Sequence, residues 1–261
     1  MIAVRLIIAS LLLLLGACGL TGVRDGGPSQ APRDMQTHDA VPRAEAPSRY
    51  GNPSSYVVNG QRYYTLKTSR GFVERGIASW YGTKFHGRRT SSGEPYDMYR
   101  MTAAHKTLPL PSYVEVTNLT NGRRAVVRVN DRGPFHENRI IDLSYAAAKK
   151  LGILAKGTGL VEIRTVGPGY HAAPVRVARE RNGRVNFRIQ VGAFFERLNA
   201  ERLYQRLRTI FGHLALLEQG QSQGRPVYRV QLGPMKDVAQ SDRIVERLLA
   251  LGLGQHQLVF E

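Results

Sequence analysis

The sequence predicts a chain that is mainly β, with an α+β unit at its C-terminal end. A small closed β-barrel is expected over residues 71–167, and a four-stranded sheet covered on one face by two helices over residues 182–261. Two observations carry this expectation. Residues 71–167 alternate short apolar runs with turn formers and hold one good helical stretch, a pattern that suits a small closed barrel. Residues 187–194 (FRIQVGAF) then match residues 228–235 (YRVQLGPM) position by position, and each copy leads into a helical stretch.

Taken in order, residues 1–17 read as an export signal that is not part of the fold. Arg5 is the only early cation, residues 6–15 are almost purely apolar, and Gly16-Ala17 places small residues before Cys18. The thirteen residues from Leu6 to Cys18 fall short of the ~20 that span a bilayer, so a signal peptide is favoured over a membrane helix. Leu15-Gly16-Ala17-Cys18 resembles a bacterial lipobox, which implies cleavage before Cys18 and lipid on its sulfur. Cys18 is the only cysteine, so no disulfide can form within the chain. Several acyl chains on one residue would anchor it durably to a membrane. Gly19 stands where an aspartate would resemble an inner-membrane retention signal, so outer-membrane placement is expected over a plasma-membrane anchor.

Residues 18–70 hold Gly, Pro, Ser, Arg and Asp with little apolar periodicity, which predicts a flexible tether with a reach on the order of 40 Å. Residues 61–66 are a candidate strand at its end. In the barrel region, residues 114–117 and 124–129 flank Asn121-Gly122, a strong hairpin signal. The helix is expected over residues 143–151, ending at Gly152, and Leu160–Arg164 closes the region with a strand. A second linker is expected over residues 168–181. In the repeat, Phe187, Ile189 and Val191 are expected to point one way and Arg188, Gln190 and Gly192 the other; Tyr228, Val230 and Leu232 likewise oppose Arg229, Gln231 and Gly233. Helices would cover the apolar face and leave paired Arg-Gln side chains on the open one.

The net charge of +17 would suggest nucleic acid for a cytoplasmic chain, but export removes that partner. What remains outside the cytoplasm is lipid headgroups and the acidic cell wall. The seven histidines show no paired ligand spacing, no free cysteine remains, and no phosphate-binding glycine loop follows a strand, so neither a metal nor any other cofactor is expected.

Three carboxylates stand out in the first domain: Glu94 after Ser91-Ser92-Gly93, Asp131 before Arg132-Gly133-Pro134, and Asp142 before Leu143-Ser144. Breaking a glycosidic bond needs an acid for the leaving oxygen and a stabiliser for the positive charge at the anomeric carbon. By residue type alone, Asp131 also suits a turn cap, Glu94 a solvated turn, Asp142 a helix N-cap and His105 a structural role. Trp80 suits either a core or a sugar-stacking position.

The fragments GIASWYG (76–82), TSSGE (90–94), TAAH (102–105), VNDRGPF (129–135) and IIDLS (140–144), in this order, resemble the double-psi β-barrel of the rare lipoprotein A family. These are septal peptidoglycan lytic transglycosylases. The repeat resembles the SPOR domain, a ferredoxin-like βαββαβ fold that binds septal glycan stripped of its stem peptides. The resemblance implies an active-site pair on Glu94 and Asp131 with His105 nearby, and keeps Asp142 as a second-rank candidate. It puts Gln190 and Gln231, beside Arg188 and Arg229, at the glycan-binding positions. The expected function is a lipid-anchored lyase that cleaves denuded glycan strands at the division septum with 1,6-anhydro products. A non-catalytic, expansin-like wall-binding or wall-loosening module is the alternative, and a septal recruitment scaffold the third.

Overall fold

A computed structural model describes residues 25–32, 35, 37–170 and 185–260. Cys18, its lipobox and most of the second linker therefore lie outside the described residues. Ser55–Val58 (β1) and Gln61–Tyr64 (β2) form a hairpin about Asn59 and Gly60. Both turn residues have positive φ, 50° and 79°, the turn geometry that matches strand twist.

The barrel is built from Val73–Tyr81 (β3), Thr102–His105 (β4), Ser112–Asn118 (β5), Arg124–Asp131 (β6), Arg139–Ser144 (β7) and Gly159–Val166 (β8). They close in the order β3-β7-β4-β6-β5-β8, with β3–β7 and β4–β6 parallel and the other pairs antiparallel. The expected hairpin is β5–β6, with Glu115 opposite Val126. Ala78, Ala103, Val114, Val127, Val129, Ile141 and Ile163 fill the barrel core and are fully buried.

The single helix of this domain, α1 (Tyr145–Leu151), presses Ala146, Ala147, Ala148 and Leu151 against that core. Three consecutive alanines let its backbone come close to the strands. Its N-cap is Ser144, whose hydroxyl accepts from the Ala147 N–H, and Gly152 ends it at φ 72°. The helix thus starts later than expected, and Asp142 is not its cap. It remains on β7 and is free for other work.

The expected tether is corrected in its described part. Residues 37–66 form a strap bonded to the barrel. The reason lies in β4, which is only four residues long and pairs with just the second half of β6. The first half of β6 is left as an unpaired edge, which buried sheets do not tolerate. Asp39 accepts from the Val126 N–H at 2.7 Å and Ala40 donates to the Val126 carbonyl at 3.0 Å, which completes that edge. Asn52 does the same for Leu110, accepting from its N–H at 2.8 Å and donating to its carbonyl at 2.7 Å. The strap binds through polar side chains and backbone, so its low apolar content gave no sign of order.

The second domain comprises Phe187–Phe194 (β9), Arg197–Phe211 (α2), Ala215–Ser222 (β10), Arg225–Leu232 (β11), Val238–Ala250 (α3) and Gln257–Phe260 (β12). Its antiparallel sheet runs β10-β11-β9-β12. Ala200, Leu207, Ile244 and Leu248 of the helices pack on Phe187, Ile189, Val230 and Leu232. One expected detail fails. Val230 pairs with Gly192 while Gln231 pairs with Gln190, so a bulge interrupts β9. Past it the alternation inverts, and Gly192 sits on the helix face, where a Cβ would lie 3.0 Å from Leu203. The domain rests on the barrel through Arg139–Asp242 at 2.8 Å and His256–Asn138 at 2.9 Å.

If the strap is part of the fold, Asn52→Ala should lower unfolding free energy by about 1–3 kcal/mol, because the Leu110 N–H loses its partner while its carbonyl keeps only the donors of Ser48. Denaturant titration of the protein checks this. An unchanged midpoint would mean that the strap is not held there.

Candidate active site

Two irregularities in the barrel bring the carboxylates together. Along β4 and β6, Ala103 pairs with Val129 and Ala104 with Asp131, so Asn130 is an extra residue. Along β3 and β7, Ile77 pairs with Arg139 and Ala78 with Ile141, so Ile140 is another. A strand alternates faces at every residue, and each bulge resets that alternation. Val129 and Ile141 point into the core, while Asp131 and Asp142 point outward. Ala104 of β4 pairs with both aspartates, so Asp131, Ala104 and Asp142 lie side by side across three strands. Ser79 of β3 pairs with Asp142 on its other side.

Gly133 roofs this row. It holds φ 141°, and a Cβ there would lie 3.8 Å from both the Ala104 Cβ and Asp142 Oδ2 and 4.0 Å from the Phe135 ring. Phe135 thus borders the place where the Asp142 carboxylate sits. Tyr81 and Tyr96, stacked at 4.0 Å, form a buried wall. Burial, then Tyr96, then the charges of Asp131 and Asp142 push the Tyr81 hydroxyl well above its ordinary range, so the ring lies in the field of both aspartates.

The three carboxylates have different surroundings. Burial pushes the Asp142 carboxyl up; one hydrogen bond from the Ser79 hydroxyl, at 2.5 Å, and the more distant charges of Arg139, Lys106 and His136 oppose that only in part. Glu94 shifts the other way. Burial alone would raise it, but the Arg128 guanidinium, at 2.9 and 2.8 Å from its two oxygens, and the Asn130 amide at 3.0 Å bring it below its usual value. Asp131 Oδ1 accepts from the Ser91 N–H and hydroxyl, both at 2.7 Å, and from the Arg132 N–H at 2.8 Å. Asp131 is therefore the clasp that ties the Thr90–Glu94 turn to the end of β6, as well as a member of the row.

His105 is not brought into this row. It follows Ala104 on β4 and is 2 % exposed. Its Nδ1 accepts from the N–H groups of Thr107 and Leu108, its Nε2 lies 3.3 Å from Glu74, and burial lowers its pKa. Both ring nitrogens are engaged, by the turn that follows β4 and by Glu74 of β3. Trp80 is half-buried, packed on the barrel core and edge-on to Tyr145 at 5.8 Å. In the second domain Gln231 pairs with Gln190, opposite the helices, but Gln231 is buried, and its Oε1 accepts from Arg188 at 3.2 Å. Arg188 also pairs with Glu218, and Arg229 lies opposite Glu218 on the same face. Sequence reasoning missed Ser79, Ser91, Arg128 and Asn130. Ser91 and Asn130 were visible as neighbours of the motif acids, whereas Ser79 and Arg128 become partners only through strand register.

The chain is thus a two-domain protein in which a six-stranded mixed barrel, with two aspartates side by side on its outer face, is joined to a βαββαβ sheet. Residues 73–163 match the family described as lytic transglycolase, and residues 183–256 match the SPOR domain. The endolytic peptidoglycan transglycosylase RlpA of Vibrio cholerae is 41 % identical over 93 % of this chain and 91 % of its own length. That of Pseudomonas aeruginosa strain UCBPP-PA14 is 37 % identical over 90 % of this chain and 84 % of its own. That of Neisseria meningitidis Z2491 is 58 % identical over 52 % of this chain and 56 % of its own. The chain belongs to the RlpA family, with its double-psi barrel and SPOR domain.

A carboxyl whose pKa is raised in the fold opposes folding in its ionised form. Its stability contribution is complete below the unfolded-state value and is lost as pH rises through the folded one. Asp142→Asn, which stays neutral, should therefore match the parent in stability near pH 3 and exceed it at pH 7. Melting curves at the two pH values check the sign, and a variant less stable only at pH 7 would reverse the assignment.

Proposed function

We propose that the chain is a peptidoglycan lytic transglycosylase, a lyase in which Asp142 carries the proton. The observation that carries this is the contrast between two carboxyls of the first domain: burial raises Asp142, while Arg128 and Asn130 bring Glu94 below its usual value. An acid must hold its proton until the glycosidic oxygen leaves, and a charge stabiliser must stay ionised. Asp142 donates its proton to the leaving oxygen as the bond to the anomeric carbon breaks. Positive charge grows on that carbon, and the Glu94 carboxylate, favoured in its ionised form by Arg128 and Asn130, is the stabiliser. The C6 hydroxyl of the same sugar then attacks, closes the 1,6-anhydro ring, and returns its proton to Asp142. No water is activated. Phe135, at the roof of the row, offers an apolar face to a sugar ring next to Asp142.

The second domain supports binding of the same polymer. Amides such as Gln190 suit an uncharged glycan, since they both donate and accept. We place the preferred substrate among strands without stem peptides and the site of action at the division septum, on the resemblance of the repeat to septal glycan binders. The lipobox at Cys18 and the glycine after it support an outer-membrane anchor facing the periplasm.

Incubation of the protein with amidase-treated sacculi, read by mass spectrometry, tests the reaction. It should release 1,6-anhydromuramic products, and Asp142→Asn should lower that release by roughly 10²–10⁴-fold. Reducing-end products formed with water would point to a hydrolase, and near-parental release by the Asn variant would move the proton elsewhere.

A further inference from the structure

Glu94 is held by a side chain that is itself held by the strap. Arg128 spends Nη1 on both Glu94 oxygens and its other two nitrogens on Glu45. Nε donates to Glu45 Oε1 at 3.0 Å and Nη2 to Oε2 at 2.8 Å. Tyr113 of β5 also donates to Glu45, and Arg43 lies 3.3 Å from it. The guanidinium fork is filled on both sides, with Arg128 far less exposed than Glu94. An arginine clamped between two carboxylates in paired geometry is fixed in direction as well as charge.

We propose that Arg128, gripped from behind by Glu45, is the positioning residue that sets the orientation and charge of Glu94. The site then extends into the strap, the segment that lies between Cys18 and the barrel. Glu45 is no bystander in this chain of contacts: the hydrogen bonds from Arg128 outweigh burial and bring its carboxyl down to about 2. The groups that face Glu94 are Arg128 and Asn130 from β6 and, through Arg128, Glu45 from the strap, with Asp131 tied to the same turn by Ser91. With Arg128 replaced, burial is opposed by Asn130 alone, and Glu94 holds its proton to higher pH. With Glu45 replaced by glutamine, a neighbouring negative charge disappears, and Glu94 ionises more readily.

This rests on the reading of Glu94 as an ionised member of the site, and the test separates the two. The pH profile of kcat/KM on peptide-free glycan is measured for the full protein and for Arg128→Met, Arg128→Lys, Glu45→Gln and Glu94→Gln. Arg128→Met should move the acid limb to higher pH, each unit of movement lowering the rate about tenfold on the acid side, with recovery on the alkaline side. Arg128→Lys keeps the charge and should move the limb less. Glu45→Gln should move it the opposite way, to lower pH. These two milder variants carry the test even where Arg128→Met does not fold. A uniform loss at every pH, with the limb unmoved, would make Arg128 merely structural and overturn the proposal. So would a limb that survives unchanged in Glu94→Gln, since it would then belong to another group. Asp142→Asn in parallel reports on the reaction itself: its loss of turnover is independent of where the acid limb lies.

Discussion

The short strand β4 is the constraint on which the rest of the structure depends. With four residues it reaches only half of β6, yet it lies between β6 and β7 and pairs with both. Because Ala104 is shared, whatever faces outward at that level on the two neighbours must share a surface. The bulges at Asn130 and Ile140 then decide that those residues are Asp131 and Asp142 rather than their apolar neighbours. Without either bulge, the side-chain period of two would turn one carboxylate into the core, where an unpaired charge is not tolerated. The same shortness leaves the edge of β6 that recruits the strap. Site and strap thus have one origin.

The chemistry follows from unequal desolvation within a small area. Asp142 sits beneath Gly133, with one hydroxyl donor to offset its burial. Glu94 lies on the turn above β6, where a guanidinium and an amide more than offset it. Two carboxyls are shifted in opposite directions from their ordinary values, and that contrast distinguishes an acid from a charge stabiliser. Asp131 lies between them and spends one oxygen on the turn that carries Glu94, so its loss would disturb position as well as charge. Gly133 is a glycine because its φ of 141° lies where L-residues are strained, not because a Cβ would clash.

Much of this was legible in the residues. The strand-rich first domain, the Asn121-Gly122 hairpin and the repeated βαβ unit follow from turn chemistry and alternation, which are local. Glu94 and Asp131 stood out because each adjoins a tight turn. What stayed hidden is non-local. A bulge is one extra residue in a pairing, so neither the outward turn of Asp142 nor the inversion at Gly192 can be read from a single strand. The strap was hidden because Asp39, Glu45 and Asn52 bind through polar groups, and composition registers only apolar surface. His105 entered through the family resemblance, and its partners, the Thr107 and Leu108 N–H groups and Glu74 of β3, become visible only in the folded chain.

The account stands or falls on the opposite shifts of two carboxyls. Carbon-13 NMR titration of the side-chain carboxyls, assigned by Asp142→Asn and Glu94→Gln, measures it directly in the resting protein. The account predicts that Asp142 titrates above the ordinary aspartate value and Glu94 below the ordinary glutamate value. A titration in which Asp142 falls at or below its ordinary value, or Glu94 at or above its own, would contradict it.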